Sequence, residues 1–132
     1  MPLIIGLIPA RSGSKGVPNK NIKKIAGKSL LEWSIQACKK SNLIDEIIIS
    51  TDSIEYADHA EKCGGKVPFI RPKDISLDTS TDYEFIKHTL DWFNKNRNLP
   101  DFIAHIRPTS PFRDPKILDE AIQTFISSDK NT

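Results

Sequence analysis

Between Pro9 and Asn21 the chain places Arg11, Lys15 and Lys20 among Ser12, Gly13, Ser14 and Gly16, with no acidic residue in the run. Glycines let backbone N–H groups approach phosphate oxygens, and serine hydroxyls donate further hydrogen bonds. Arginine can pair bidentately with an oxyanion, while lysine acts as a point charge. The run therefore reads as a cradle for a triphosphate. A loop of this kind positions and neutralises its guest and performs no covalent step itself. It contains neither the GxxxxGK[ST] of a Walker loop nor the GxGxxG of dinucleotide binders, so two common phosphate folds are disfavoured. The plain alternative is a solvated basic loop, and for Lys23, Lys24 and Lys28 further along that is the better reading.

Other residues of chemical interest fall just past apolar runs. Asp52, in Ser50-Thr51-Asp52-Ser53, could bind a metal or a ribose, or it could simply favour the positive end of a following helix. Arg71 follows Val67-Pro68-Phe69-Ile70 directly, which favours ligand contact over a surface ion pair. Residues 107–113 hold two prolines, Arg107, Thr109, Ser110 and Arg113, a rigid loop with donors for an anion or a sugar. Thr109 and Ser110 can equally satisfy loop backbone groups. His59, His88 and His105 show no metal-ligand spacing and read as structural. No residue is assigned as a metal ligand. Cys38 and Cys63 lie far apart without a CxxC pattern, so buried thiols are expected rather than a disulfide or a zinc site.

To bring these positions together the chain must fold as alternating strands and helices. Residues 3–8 form a continuous apolar run closed by Pro9, the signature of a strand buried on both faces of a parallel sheet. Residues 46–51, 67–70 and 102–106 read as three more strands. Helices are predicted over residues 30–40 with Ser29 as N-cap and over 53–62 with Ser53 as cap. Gly64-Gly65 ends the second at a left-handed position. A third is capped by Thr79, Ser80 or Thr81 and buries Phe85 and Phe93. A fourth opens at Asp114-Pro115 and runs to about Ser127. Trp33 and Trp92 also fall on helix faces and read as core. The pattern implies a Rossmann-like α/β architecture, a parallel sheet with flanking helices and right-handed crossovers. Ligands in such sheets sit outside the carboxyl ends of the strands, where nearly all the residues above are found.

Composition agrees. At 132 residues with 38% hydrophobic and 27% charged residues, the chain can bury a core without a disulfide or metal. Its longest apolar run is too short to span a bilayer and no basic stretch precedes it, so a soluble, cytoplasmic protein is expected. The net charge of +2 hides an asymmetry: residues 1–31 hold six bases and no acid, and the other 13 bases face all 17 acids. A local positive field without interleaved aromatics suits a polyanionic small molecule better than a nucleic acid.

The run IPARSGSKGVPNKNIKKIAGKSLLEWSIQA resembles the opening of the acylneuraminate cytidylyltransferases, or CMP-sialic acid synthetases. The likeness continues in order through IIISTDS at 47–53, VPFIRP at 67–72 and RPTSPFR at 107–113. The resemblance implies a nucleotide-diphospho-sugar transferase type of fold. It also implies an enzyme that joins CTP to a nine-carbon keto sugar acid of the sialic type, giving CMP-sugar and pyrophosphate, as in lipopolysaccharide or capsule biosynthesis. By that likeness Arg11, Lys15 and Lys20 are catalytic cations around the phosphates, and Ala10, Ser12, Gly13, Ser14, Gly16 and Asn21 line the nucleotide. Asp52, Arg107, Thr109 and Ser110 are further candidate substrate-binding residues, and Arg71 matches the arginine that recognises cytidine. Two positions depart from the family pattern. Arg107 stands where glutamine is usual, and Asp82 stands where a serine near the cytidine is usual, unless the register shifts so that Ser80 fills that role.

Family members are longer, so residues 1–132 are expected to form the N-terminal, nucleotide-binding portion of a single α/β cytidylyltransferase domain, weakly active or inactive alone. The resemblance places the ligands for Mg2+ mainly in the remaining C-terminal segment, together with dimerisation elements, so a homodimer is expected at full length. Three alternatives remain: a synthetase for the eight-carbon keto sugar acid, a sugar-1-phosphate nucleotidyltransferase, and a non-catalytic nucleotide- or nucleic-acid-binding module.

Overall fold

The computed structural model describes residues 2–11, 24–25, 28–76, 81–107 and 115–127. Three parallel strands form the central sheet: β1 (Ile4–Pro9), β4 (Glu46–Ser50) and β5 (Phe102–His105), in the order β4-β1-β5. The apolar run of β1 is central, flanked on both sides, which is why it shows no polar alternation. Register pairs Ile5 with Glu46 and Pro9 with Ser50 on one side, and Ile4 with Phe102 and Leu7 with His105 on the other. Two carboxylates fix where β1 begins. Asp101 accepts from the N–H of Leu3 at 2.6 Å and Asp45 from that of Ile4 at 2.8 Å.

A two-stranded antiparallel ribbon, β2 (Lys24–Ile25) with β3 (Lys28–Ser29), precedes the first helix. The sequence gives no period-2 signal over elements this short, and the ribbon was not among those expected. Lys28 is drawn into local packing: its ammonium lies 4.8 Å from the centre of the Trp33 ring and also reaches Gln36 Oε1. Trp33 is accordingly half-buried rather than a core residue.

The helices begin where their caps dictate. Ser29 accepts from Glu32 N at the start of α1 (Leu30–Lys40), and Ser53 accepts from Tyr56 N at the start of α2 (Ile54–Lys62). At α3 (Asp82–Asn96), Thr81 and Glu84 form a reciprocal capping box. Pro115 opens α4 (Pro115–Ser127), while the expected cap Asp114 lies outside the described residues. Beyond α2 the chain turns at Gly64, whose φ of 103° is a conformation that L side chains adopt only with strain.

The period-2 alternation of the strands divides the core. Ile8, Ile47 and Ile49 face one layer with Leu31, Ile35 and Cys38 of α1, Tyr56 and Ala60 of α2 and Leu118 of α4. Ile5, Leu7 and Ile48 face the other, against Phe85 and Phe93 of α3. Cys38 is buried as expected, but Cys63 is only half-buried; both are free thiols, and burial pushes the Cys63 thiol up.

The strand expected over 67–70 does not form. One parallel bridge, Lys66 to Ile48, is made, after which the segment leaves the ladder. Pro68 has no N–H to donate to it. The chain returns to β4 only where the N–H of Arg71 bonds to the carbonyl of Thr51 at 2.7 Å. The sheet among the described residues therefore has three strands, not four.

Candidate functional site

The chain passes from β1 to β4 on one side and later reaches β5 on the other, so the carboxyl end of β1 is a topological switch point. Three exits meet there: Ala10 and Arg11 after β1, Thr51 and Asp52 after β4, and Ile106 and Arg107 after β5. Each is pinned by backbone hydrogen bonds that outlast the strands. Ala10 N donates to Ser50 O at 2.9 Å, Arg71 N to Thr51 O, and Ile106 N to Leu7 O at 2.9 Å.

Arg71 is the most constrained cation of this rim, with only 4% of the residue exposed. Its Nε donates to Ser50 Oγ at 3.0 Å and its Nη2 to Ser50 O at 2.8 Å, while the guanidinium lies 5.0 Å from the centre of the Phe85 ring. Burial lowers its pKa. The carboxylate of Asp52 opposes the shift, Arg11 adds to it, and Asp82 opposes it. These four charged groups therefore share one electrostatic neighbourhood. An arginine stays protonated even so, and the result is a fixed positive charge buried beside the carboxyl end of β4.

Ser50 is a residue that sequence reasoning missed. Its carbonyl accepts both Ala10 N–H and Arg71 Nη2–H, so one residue ties the exits of β1 and β4 to the buried guanidinium. Phe85 was read only as core, yet it is also the platform beneath Arg71. Nothing in the spacing of these residues signals either role.

Among the other candidates, Ala10 is fully buried in the core and its N–H is committed to Ser50, so anything it offers a ligand comes from its carbonyl. Arg11 is half-buried at the β1 exit. Asp52 is half-buried just before the cap of α2; the cap itself is Ser53, so Asp52 is not needed to terminate that helix. Asp82, the first residue of α3, accepts from Nη2 of Arg107. Ser12, Gly13, Ser14, Lys15, Gly16, Lys20, Asn21, Ser80, Thr109 and Ser110 lie outside the described residues.

Among the described residues Asp52, at the β4 exit, is a carboxylate of the kind that holds magnesium together with phosphate oxygens and water, whereas Asp82 is engaged by Arg107 and no three His, Cys, Asp or Glu side chains converge into an all-protein cage. Nor is any helix among them long and apolar enough to cross a membrane. Of the histidines, His59 Nε2 meets Ser29 Oγ at 2.7 Å, linking α2 to the N-cap of α1. His88 packs edge-on against Phe69, and burial followed by the charge of Arg71 pushes its pKa down. His105 packs edge-on against Phe85. His59 thus makes a hydrogen bond between helices, while His88 and His105 pack against aromatic rings.

What this arrangement can do is hold an anion. Arginines from three separate segments stand at or beside the carboxyl end of the parallel sheet, where its switch point lies, and the carboxylates of Asp52 and Asp82 share their electrostatic surroundings.

Comparison with known proteins bears on the identity of that anion. The sequence pattern of the family described as "Cytidylyltransferase" matches residues 5–131. The chain is 38% identical over 127 residues to an N-acylneuraminate cytidylyltransferase of Escherichia coli O18:K1:H7, covering 96% of this chain and 29% of the relative. It is 38% identical over 120 residues to the CMP-N,N'-diacetyllegionaminic acid synthase of Legionella pneumophila, covering 91% of this chain and 52% of that protein. The chain thus spans only about a third to a half of the length of these relatives. Among solved structures, that of a CMP:2-keto-3-deoxy-manno-octonic acid synthetase complexed with CTP superposes with a TM-score of 0.78. It is 18% identical, covering 95% of this chain and 48% of the other, so the likeness is one of fold. The architecture expected from the sequence, a parallel sheet with flanking helices of the nucleotidyltransferase type, is the one observed.

Proposed function

The chain belongs to the cytidylyltransferase family, and from that premise we propose that it forms the nucleotide-binding portion of an enzyme that activates a nine-carbon, sialic-type keto sugar acid with CTP. The observation that carries this reading is the meeting of Arg11, Arg71 and the Arg107–Asp82 pair at the carboxyl ends of β1, β4 and β5. A triphosphate brings several negative charges to one spot. A rim of guanidinium groups set by backbone hydrogen bonds meets them without reorganising.

The reaction is an in-line displacement at the α-phosphorus. The anomeric hydroxyl oxygen of the sugar acid bonds to that phosphorus, the bond to the bridging oxygen of the β-phosphate breaks, the hydroxyl proton passes to a base or to water, and pyrophosphate leaves. Negative charge grows on the departing pyrophosphate. Arg11, with Lys15 and Lys20 of the same loop, is proposed to stabilise it. Arg71 and its Ser50 anchor form the floor on which the cytidine rests, and the Arg107 side is left for the acceptor. A soluble, cytoplasmic enzyme, dimeric at its native length, fits the same reading.

Two measurements test it. The protein at its native length should release pyrophosphate from CTP when a nine-carbon keto sugar acid is added, and not from ATP or GTP. The 132-residue chain alone should bind CTP in calorimetry, more tightly than ATP or GTP, while turning over weakly or not at all. Oligonucleotide binding with a steep salt dependence in place of CTP binding would identify a nucleic-acid module instead.

A further inference from the structure

The sheet ends on β5, which has β1 on one side and, among the described residues, no strand on the other. Its even positions are committed inward: Phe102 N–H donates to Leu3 O and Ile106 N–H to Leu7 O. By the alternation of a strand, Ile103 therefore turns its N–H and carbonyl outward, toward the open edge. Such an edge is a template for pairing with another strand, and natural sheets often blunt it with proline or lysine. The four residues of β5 include neither.

Beside that edge lies an apolar groove of about 390 Å³ between β5 and α4. Positions 117, 118, 121, 122, 125 and 126 of α4 line it as one apolar stripe along the helix. Of that stripe only Leu118 is buried, and Ile117 stays 62% exposed. A contiguous apolar face left this open marks an interaction surface.

The edge is complementary to itself. Laid antiparallel against a second copy about a two-fold axis through Ala104, Phe102 stands opposite Ile106 and Asp101 opposite Arg107 of the other chain. The last of these pairings sets an exposed acid against an exposed base. Arg107 can serve both that acid and Asp82, since a guanidinium carries several donors. Ala104 turns its own N–H and carbonyl to β1, so the axis falls on a non-hydrogen-bonded pair, where Cα atoms lie about 4.5 Å apart. The smallest side chain of the strand occupies that closest approach. Even positions also face α4: Ala104 and Ile106 belong to the core layer of Leu118, and Phe102 packs edge-on against Phe125. Pairing therefore joins the two grooves and lays the α4 stripes side by side.

We propose that the 132-residue chain associates with a second copy of itself, β5 against β5, doubling the three-stranded sheet into one continuous sheet. This surface does not depend on the reaction assigned above, and its test involves no turnover. Sedimentation equilibrium of the 132-residue chain should show a monomer–dimer equilibrium. Ile117→Lys places a charge in the joined groove, and Arg107→Glu sets acid against acid. Each should weaken association about tenfold or more, with circular dichroism unchanged because both side chains are exposed. Register is read with Ala104→Cys. Cα atoms at that separation suit a disulfide, so mild oxidation should link two chains well above the level of the unaltered protein, whose own thiols are Cys38 and Cys63. A monomer at every concentration, leaving the edge to some other occupant, overturns the inference. So does association that neither charged substitution weakens, or the absence of a link through position 104.

Discussion

The guanidinium of Arg71 bonds to both oxygen atoms of Ser50, Nε to the hydroxyl at 3.0 Å and Nη2 to the carbonyl at 2.8 Å. The pairing converts the end of β4 into a rigid mount for a positive charge. Because the same carbonyl also accepts Ala10 N–H, movement of the β1 exit and of Arg71 are linked through one atom.

Removing that cation should be costly. Arg71→Leu loses two charge-assisted hydrogen bonds at a buried site and should lower unfolding free energy by about 3 kcal/mol in urea titrations. Arg71→Lys should recover only part, since an ammonium lacks the planar fork that serves both Ser50 acceptors. A loss below about 0.5 kcal/mol in Arg71→Leu would mean the bonds to Ser50 contribute nothing net.

At the β1 exit the consequence falls on rate instead. In the protein at its native length, Arg11→Ala should reduce turnover on the order of a hundredfold, the usual loss when one donor to a developing oxyanion is deleted. Circular dichroism should be unchanged, because Arg11 lies outside both core layers. An undiminished kcat/KM for CTP would remove Arg11 from the mechanism.

Much of this frame could be read in the sequence because its signals are local. The buried run of β1, the caps Ser29 and Ser53, the glycine stop at Gly64 and the proline that opens α4 each depend on a few neighbouring residues. The misreading of 67–70 as a strand followed from weighing Val67, Phe69 and Ile70 above Pro68, whose missing N–H matters more. The two-residue ribbon strands are too short to carry a period. The site was legible only as a set of exits. That Asp82 would meet Arg107, or that Ser50 would hold Arg71, depends on how segments far apart in sequence stack, and residue spacing holds no record of that.

Acid should weaken the opposite side of the molecule first. Glu46 is held by Arg97 through two hydrogen bonds, at 3.0 and 2.7 Å, and by Lys66 at 3.1 Å. The bonds to Arg97 are the chief cause of its pKa falling from 4.5 to about 2, with burial opposing and Lys66 assisting. Between those values the unfolded chain binds a proton that the folded one does not. The stabilisation is therefore fully present above pH 4.5 and is lost as pH falls toward about 2. Glu46→Gln should flatten the pH dependence of melting temperature in that window. An identical acid limb in the variant would show that the network does not govern it.

Thr81→Ala removes one half of the capping box, in which Thr81 Oγ1 accepts from Glu84 N at 3.3 Å and Glu84 Oε1 accepts from Thr81 N at 3.0 Å. The expected cost is about 1 kcal/mol. Amide hydrogen exchange should speed up in the first turn of α3 ahead of its remainder; uniform acceleration along the helix would point to global loosening instead.

The central place of β1 carries a consequence for biogenesis. Residues 4–9 are synthesised well before their second partner, so one of their two flanks stays open until Phe102–His105 have been made. During that interval the most apolar strand of the chain displays an unmatched edge, a state prone to pairing with neighbouring nascent chains. Closure then spans nearly a hundred residues, from Leu3 to Asp101, so slow, late-committing assembly is built into the order in which the strands are made.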